Sequence, residues 1–103
     1  MNLGQTIKRL RKQRGLKQFE FAERAKVTSA YLSLVESGQR EPSIDFLKKM
    51  AEVLAVPIPA ILFLSMDEND VHPNKREAFE MLRKPILAMI EGFFFSDYVK
   101  PEN

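Results

Sequence analysis

Apolar side chains near the N-terminus fall at Leu3, Ile7 and Leu10, with Lys8, Arg9, Lys12 and Arg14 filling positions around them. That spacing puts the three apolar residues on one stripe of a helix, and Gly15 follows where a left-handed glycine would stop it. Residues Lys17 to Ala25 form a second helical segment whose apolar positions are Phe21, Ala22 and Ala25, and Lys26 and Val27 make a short break. Thr28 or Ser29 can accept from the free N–H groups of a third helix, which runs to about Ser37. Its inward face is Leu32 and Val35, Val27 plugs its entry, and Gly38 ends it. Ser43 caps a fourth helix, Ile44 to Leu54, with Ile44, Leu47, Ala51 and Leu54 assigned to the core. Prolines 57 and 59 interrupt the pattern before a short apolar helical turn, Ala60 to Leu64. No stretch alternates apolar and polar residues for long enough to make a strand, so the expected fold is all-α.

The pattern changes after residue 64. Ser65 to Pro73 (SMDENDVHP) is polar, acidic and proline-terminated, and is read as a linker. Asn74 with Glu77 resembles a capping box. Phe79, Leu82, Ile86, Met89 and Phe93 then alternate spacings of three and four, the seam of a coiled-coil-like helix. Pro85 lies inside that pattern without an N–H to donate, so the helix should kink there or restart. Met81, Ile90, Phe94 and Phe95 widen the apolar face beyond what a lone helix can hide. The expected organisation is a domain over 1–64, an acidic linker over 65–73 and a C-terminal helical segment over 74–103.

Composition narrows the chemistry. Among 103 residues there is no cysteine and one histidine, His72, which removes disulfides, thiol nucleophiles and histidine-cluster metal sites. No nucleophile–base pair or phosphate-binding glycine loop is evident, and the expectation is a non-enzyme without cofactor or metal. The run Pro85 to Phe95 has about half the length a bilayer requires and contains Glu91. With no apolar leader at Met1-Asn2-Leu3-Gly4, the expected location is the cytoplasm. The formal net charge of +2 conceals an asymmetry: residues 1–40 carry +6 and residues 41–103 carry −4. A basic half joined to an acidic half points to a polyanionic partner for the first.

Two short helices joined by a tight turn, Gln18–Ala25 and Ser29–Ser37, are what a helix-turn-helix requires: the first crosses the sugar–phosphate backbone while the second enters the major groove. The run Leu16-Lys17-Gln18-Phe19-Glu20-Phe21-Ala22, then Val27-Thr28-Ser29-Ala30-Tyr31-Leu32-Ser33, then Glu36-Ser37-Gly38-Gln39-Arg40-Glu41-Pro42-Ser43 goes further. It closely resembles the lambda-repressor-like (Cro/repressor, Xre-type) helix-turn-helix family over about residues 3–64. The resemblance implies a five-helix domain binding double-stranded DNA, usually as a dimer on a palindromic operator, and a role as a transcriptional regulator, chiefly a repressor.

Carried over residue by residue, the resemblance makes Thr28, Ser29, Ala30, Ser33 and Leu34 the positions that approach base edges. Tyr31 is either a further contact or an exposed helix residue, and Leu34 has the core as its alternative. Lys17, Gln18, Ser37, Gly38, Gln39 and Arg40 match positions that meet phosphates, with Gln18 at a helix N-terminus. Arg11 and Glu36 match a pair that this family ties together as an internal ion pair. Phe19 departs from the pattern, standing where the family carries a polar residue; it either packs under the first helix or forms a contact surface. The base-facing set contains no Arg, Asn, Gln or Lys, so bidentate base pairing is absent and DNA shape carries more of the preference. The C-terminal seam of Phe79, Leu82, Ile86, Met89, Ile90 and Phe93 is expected to pair two chains through residues 74–95. The competing reading is an antitoxin-type interaction module, in which this helix holds a protein partner and DNA binding is secondary.

Overall fold

The Asn2 side chain opens the first helix in the computed structural model, accepting from the Gln5 N–H at 3.3 Å. Residues 1–95 are described. They form α1 (Leu3–Gln13), α2 (Gln18–Ala25), α3 (Ser29–Glu36), α4 (Ile44–Leu54), α5 (Ile58–Ser65) and α6 (Arg76–Phe94), with no strand among the described residues. The chain divides into two compact units, one of residues 2–65 and one of Met1 with the residues from 66 onward. No helix among the described residues is long and apolar enough to cross a membrane.

In the first unit each helix starts and stops where local chemistry requires. Thr28 caps α3 by accepting from the Tyr31 N–H at 3.0 Å, and Ser43 caps α4 by accepting from the Phe46 N–H at 3.1 Å; each such cap contributes about 1 kcal/mol. Gly15 and Gly38 take the left-handed conformation after α1 and α3, with φ of 72° and 81°. Lys26 and Ala55 do the same after α2 and α4 without being glycine. Pro59 sits in the first turn of α5, where an N–H would have no intrahelical partner, so α5 begins at Ile58, two residues before the expected start.

The core is built from Ile7, Leu10, Phe21, Leu32, Val35, Met50, Leu54 and Ile61, all essentially inaccessible. The inward face of α4 differs from expectation. Phe46, Leu47, Met50 and Leu54 are buried, while Ala51 is half-buried and Ile44 is 66% exposed. Turning the helix toward 46 and 50 hides a phenylalanine and a methionine in place of an isoleucine and an alanine, which removes more apolar surface from water. Gly4 is buried where α1 crosses α3, so close to the Val35 carbonyl that a Cβ would collide with it.

Ser65, placed in the linker by its polarity, instead ends α5 and is buried. Its hydroxyl donates to the Ile61 carbonyl at 2.7 Å, and its own carbonyl accepts the Asn2 N–H at 2.8 Å. In the second unit, the acidic stretch carries two 3-10 turns, Glu68–Asp70 and Pro73–Lys75. Asp67 accepts from the Asn69 N–H at 2.7 Å, and Arg76 Nε donates to the carbonyls of Glu68 at 2.8 Å and Val71 at 3.3 Å. The Asn74–Glu77 capping box does not form. Asn74 lies inside the second 3-10 turn, where it donates its N–H to the His72 imidazole at 3.4 Å, and α6 starts at Arg76. α6 then continues through Pro85 without restarting. The missing N–H deprives the Met81 carbonyl of its helical donor, and both residues are exposed, so water can serve it.

The close approach at Gly4 yields a direct test. Gly4→Ala must push α1 from α3 against backbone atoms that cannot move aside, at a cost of about 1–3 kcal/mol. The thermal unfolding midpoint, followed by circular dichroism, should fall by several degrees.

Candidate nucleic-acid interface

With Leu32 and Val35 wholly buried, the rotation of α3 is set and its other face must point outward. Thr28, Ser29, Ala30 and Ser33 are exposed, and Leu34 joins them at 37% exposure, which excludes it from the core. The result is a narrow surface of small side chains bearing three hydroxyls. A helix so trimmed can approach another surface closely, and its hydroxyls can donate or accept.

The loop after α3 is folded against the helix end. The Leu34 carbonyl accepts from the Ser37 hydroxyl at 3.1 Å, the Gln39 N–H at 3.0 Å and the Arg40 N–H at 3.1 Å. Ser37, Gly38, Gln39 and Arg40 are all exposed beside that knot. On α2, Lys17 is exposed and its N–H donates to the Glu20 carboxylate at 2.9 Å. Lys26, with φ of 58°, turns the chain so that the Val27 N–H can donate to the Ala22 carbonyl at 3.0 Å. Phe19 is 61% exposed, so its ring lies on the surface next to Gln18 and not under α1.

Beneath these surfaces lies one charged cluster. Arg11 and Glu36 are both buried and face each other in a two-pronged pair, Nε to Oε2 at 2.8 Å and Nη2 to Oε1 at 3.1 Å. Arg11 Nη1 also donates to the Leu16 carbonyl at 2.8 Å. Gln18 Nε2 donates to Glu36 Oε1 at 3.2 Å, which ties the start of α2 to the end of α3. Among the described residues no buried side-chain polar atom lacks a partner. Tyr31, half-buried, meets Phe46 edge to face with ring centroids 4.9 Å apart and planes at 80°, and the Arg40 guanidinium lies 5.5 Å from the Tyr31 ring centroid. The Gln18–Glu36 bond, the Gly4 crossing and the Tyr31 stack were all missed in the sequence reading. Each depends on how helices far apart in sequence meet, and no local spacing signals them.

The proposed pairing residues lie in the other unit, on α6. Leu82, Met89 and Phe93 are exposed, as is Met81, while Phe79 and Ile86 are half-buried. Ile90 differs from the rest of the expected seam in being buried. Residues 96–103 of the expected C-terminal segment lie outside the described residues.

A helix-turn-helix family model matches residues 7–61, a stretch that contains α2, α3 and the Ser37–Arg40 loop. The chain is 44% identical over 87 residues to the HTH-type transcriptional regulator SinR of Bacillus licheniformis, covering 84% of this chain and 78% of that protein. It is 37% identical over 104 residues to the immunity repressor protein of Bacillus phage phi105, covering 93% of this chain and 72% of that one. The crystal structure of the clp gene regulator ClgR from Corynebacterium glutamicum superposes with a TM-score of 0.60 at 22% identity over 88% of both chains, a likeness of fold.

The buried pair makes an asymmetric prediction. Glu36→Ala strands the Arg11 guanidinium without its counter-charge and should cost about 3–5 kcal/mol in urea unfolding. Replacing both partners with apolar residues of similar volume, Arg11→Met with Glu36→Leu, should recover most of that loss.

Proposed function

The chain belongs to the helix-turn-helix family, and from that premise we propose that it is a DNA-binding transcriptional repressor that reads double-stranded DNA with α3 in the major groove. The observation that carries this reading is the outward face of α3: small and hydroxyl-bearing apart from Leu34, and flanked by Gln18 and by the exposed Ser37–Arg40 loop. In this arrangement α2 crosses the backbone, with Lys17 and Gln18 toward one phosphate. Ser37, Gly38, Gln39 and Arg40 grip another, and Thr28, Ser29, Ala30, Ser33 and Leu34 meet base edges. Single hydrogen bonds from hydroxyls and apolar contact with thymine methyls give modest base discrimination, and the deformability of the duplex supplies the remainder.

The functional unit is a homodimer. Leu82, Met89 and Phe93 fall seven and four residues apart on one side of α6, and all three are exposed. A contiguous apolar stripe of this kind is hidden by a second copy of itself, and a two-fold dimer calls for a palindromic operator with half-sites about 34 Å apart. The relatives named as regulators favour this reading over a module whose main partner is another protein.

Fluorescence anisotropy on duplexes selected from a random pool tests the DNA contacts. Log affinity should fall steeply with log salt, as expected for roughly six to eight neutralised phosphates per half-site. Changing Ser29 and Ser33 to alanine should alter base preference while leaving non-specific binding nearly intact. Changing Gln18 and Arg40 to alanine should weaken binding to all duplexes alike. Binding that barely responds to salt would sink the proposal.

The dimer is tested by sedimentation equilibrium. Leu82→Glu with Met89→Glu should leave a folded monomer that binds a single half-site more weakly than the parent binds the full palindrome. An unchanged mass would remove α6 from the interface.

A further inference from the structure

Three arginines of the first unit are held in different ways. Arg11 is buried and its donors are committed to Glu36 and the Leu16 carbonyl. Arg14 Nε donates to the Leu54 carbonyl at 2.9 Å. Arg40 is exposed, and its guanidinium makes no hydrogen bond among the described residues. What holds it is an aromatic face: the Tyr31 ring, at 5.5 Å from centroid to guanidinium carbon. Tyr31 is backed by a buried ring: it packs at 4.9 Å and 80° on Phe46, itself 2% exposed. The backbone end of Arg40 is fixed as well, by its N–H to the Leu34 carbonyl at 3.1 Å.

The rotation of α3 separates Tyr31 from the base-facing surface. At 100° per residue, position 31 lies about 140° from the middle of the face formed by positions 28, 29, 30, 33 and 34. Its neighbours round the helix are the buried Val35 on one side and Leu34, at the edge of the exposed face, on the other. A ring on that flank, half-buried and pressed on α4, is turned from the groove that the hydroxyl face would enter.

We propose that Tyr31 is a positioning residue for Arg40 and not a base contact: the Phe46-backed ring holds the guanidinium in place with its N–H donors open to a phosphate oxygen. A stacked guanidinium keeps its charge and all its donors, whereas a carboxylate partner would neutralise the one and occupy the others. Holding the side chain before DNA arrives reduces the entropy lost when a free arginine is immobilised on a phosphate. The loop thus presents a cation already aimed. This inference rests on the DNA-binding reading above.

A double-mutant cycle on the full chain, read by anisotropy on a selected operator and on an unrelated duplex, tests it. Tyr31→Ala should weaken both duplexes alike, by about two- to tenfold, with base preference unchanged. Tyr31→Phe, which keeps the ring, should restore parental affinity. In an Arg40→Ala background, Tyr31→Ala should have almost no further effect. By NMR, the Arg40 side-chain protons should show upfield ring-current shifts that Tyr31→Ala abolishes and Tyr31→Phe retains, a readout independent of DNA. Additive losses, a changed base preference, or Tyr31→Phe as damaging as Tyr31→Ala would each overturn the assignment. Failure of the parent chain to bind any duplex would instead overturn the DNA-binding reading, leaving the ring-current result to stand or fall alone.

Discussion

A two-pronged ion pair in a nearly water-free interior, Arg11 with Glu36, is the constraint around which the first unit is arranged. Isolated, either charge would be costly to bury, and the pair is tolerable because each buried nitrogen and oxygen of the cluster has a partner. Arg11 comes from α1, Glu36 from the last turn of α3, and the Leu16 carbonyl and the Gln18 amide come from the segment that opens α2. Three helices are therefore registered against one another at a single point by directional bonds. The apolar contacts of Ile7, Leu32 and Val35 orient α3 through which residues they bury, without directional bonds. The charged cluster is directional and locks the same face of α3 outward.

That division between non-directional and directional forces also explains what could be read from the chain. The helix ends were legible because Thr28, Ser43, Gly15 and Gly38 act within a few residues of themselves. The two-helix motif was legible because buried Leu32 and Val35 and a turn of fixed length leave one outward surface. The rotation of α4 was misread. Ile44 and Ala51 satisfy the same periodicity as Phe46 and Met50, and only the surface that each pair finds opposite itself decides between them. Ser65 looked like linker by polarity, but its hydroxyl is satisfied by the Ile61 carbonyl one turn earlier, so polarity placed no limit on its burial. Asn74 lost its capping role to His72 because Pro73 forces a tighter turn first.

The second unit shows the weakness of reading an apolar seam as a set of equivalents. Six positions share the spacing of three and four, yet Leu82, Met89 and Phe93 are open while Ile90 is enclosed. A helix surface wider than one stripe divides into enclosed and open positions, and the heptad-like pattern alone does not apportion them. Pro85 fits the same picture: it lies in an exposed part of the helix, where the Met81 carbonyl left without a helical donor is open to solvent, and the helix passes through it.

The hydrogen bond from the Asn2 N–H to the Ser65 carbonyl joins the first and last residues of the helical unit. The backbone of residues 2–65 is in effect a ring cut at one place, and the cut lies at the far end of the sequence from the α3 surface. Fraying of α1 at its start and of α5 at its end is then a single event, since each supplies what the other lacks. A short covalent joint between residues 65 and 2 would need little distortion, so the opening in the chain could be moved to another loop, leaving α2, α3 and the Arg11–Glu36 pair as they are.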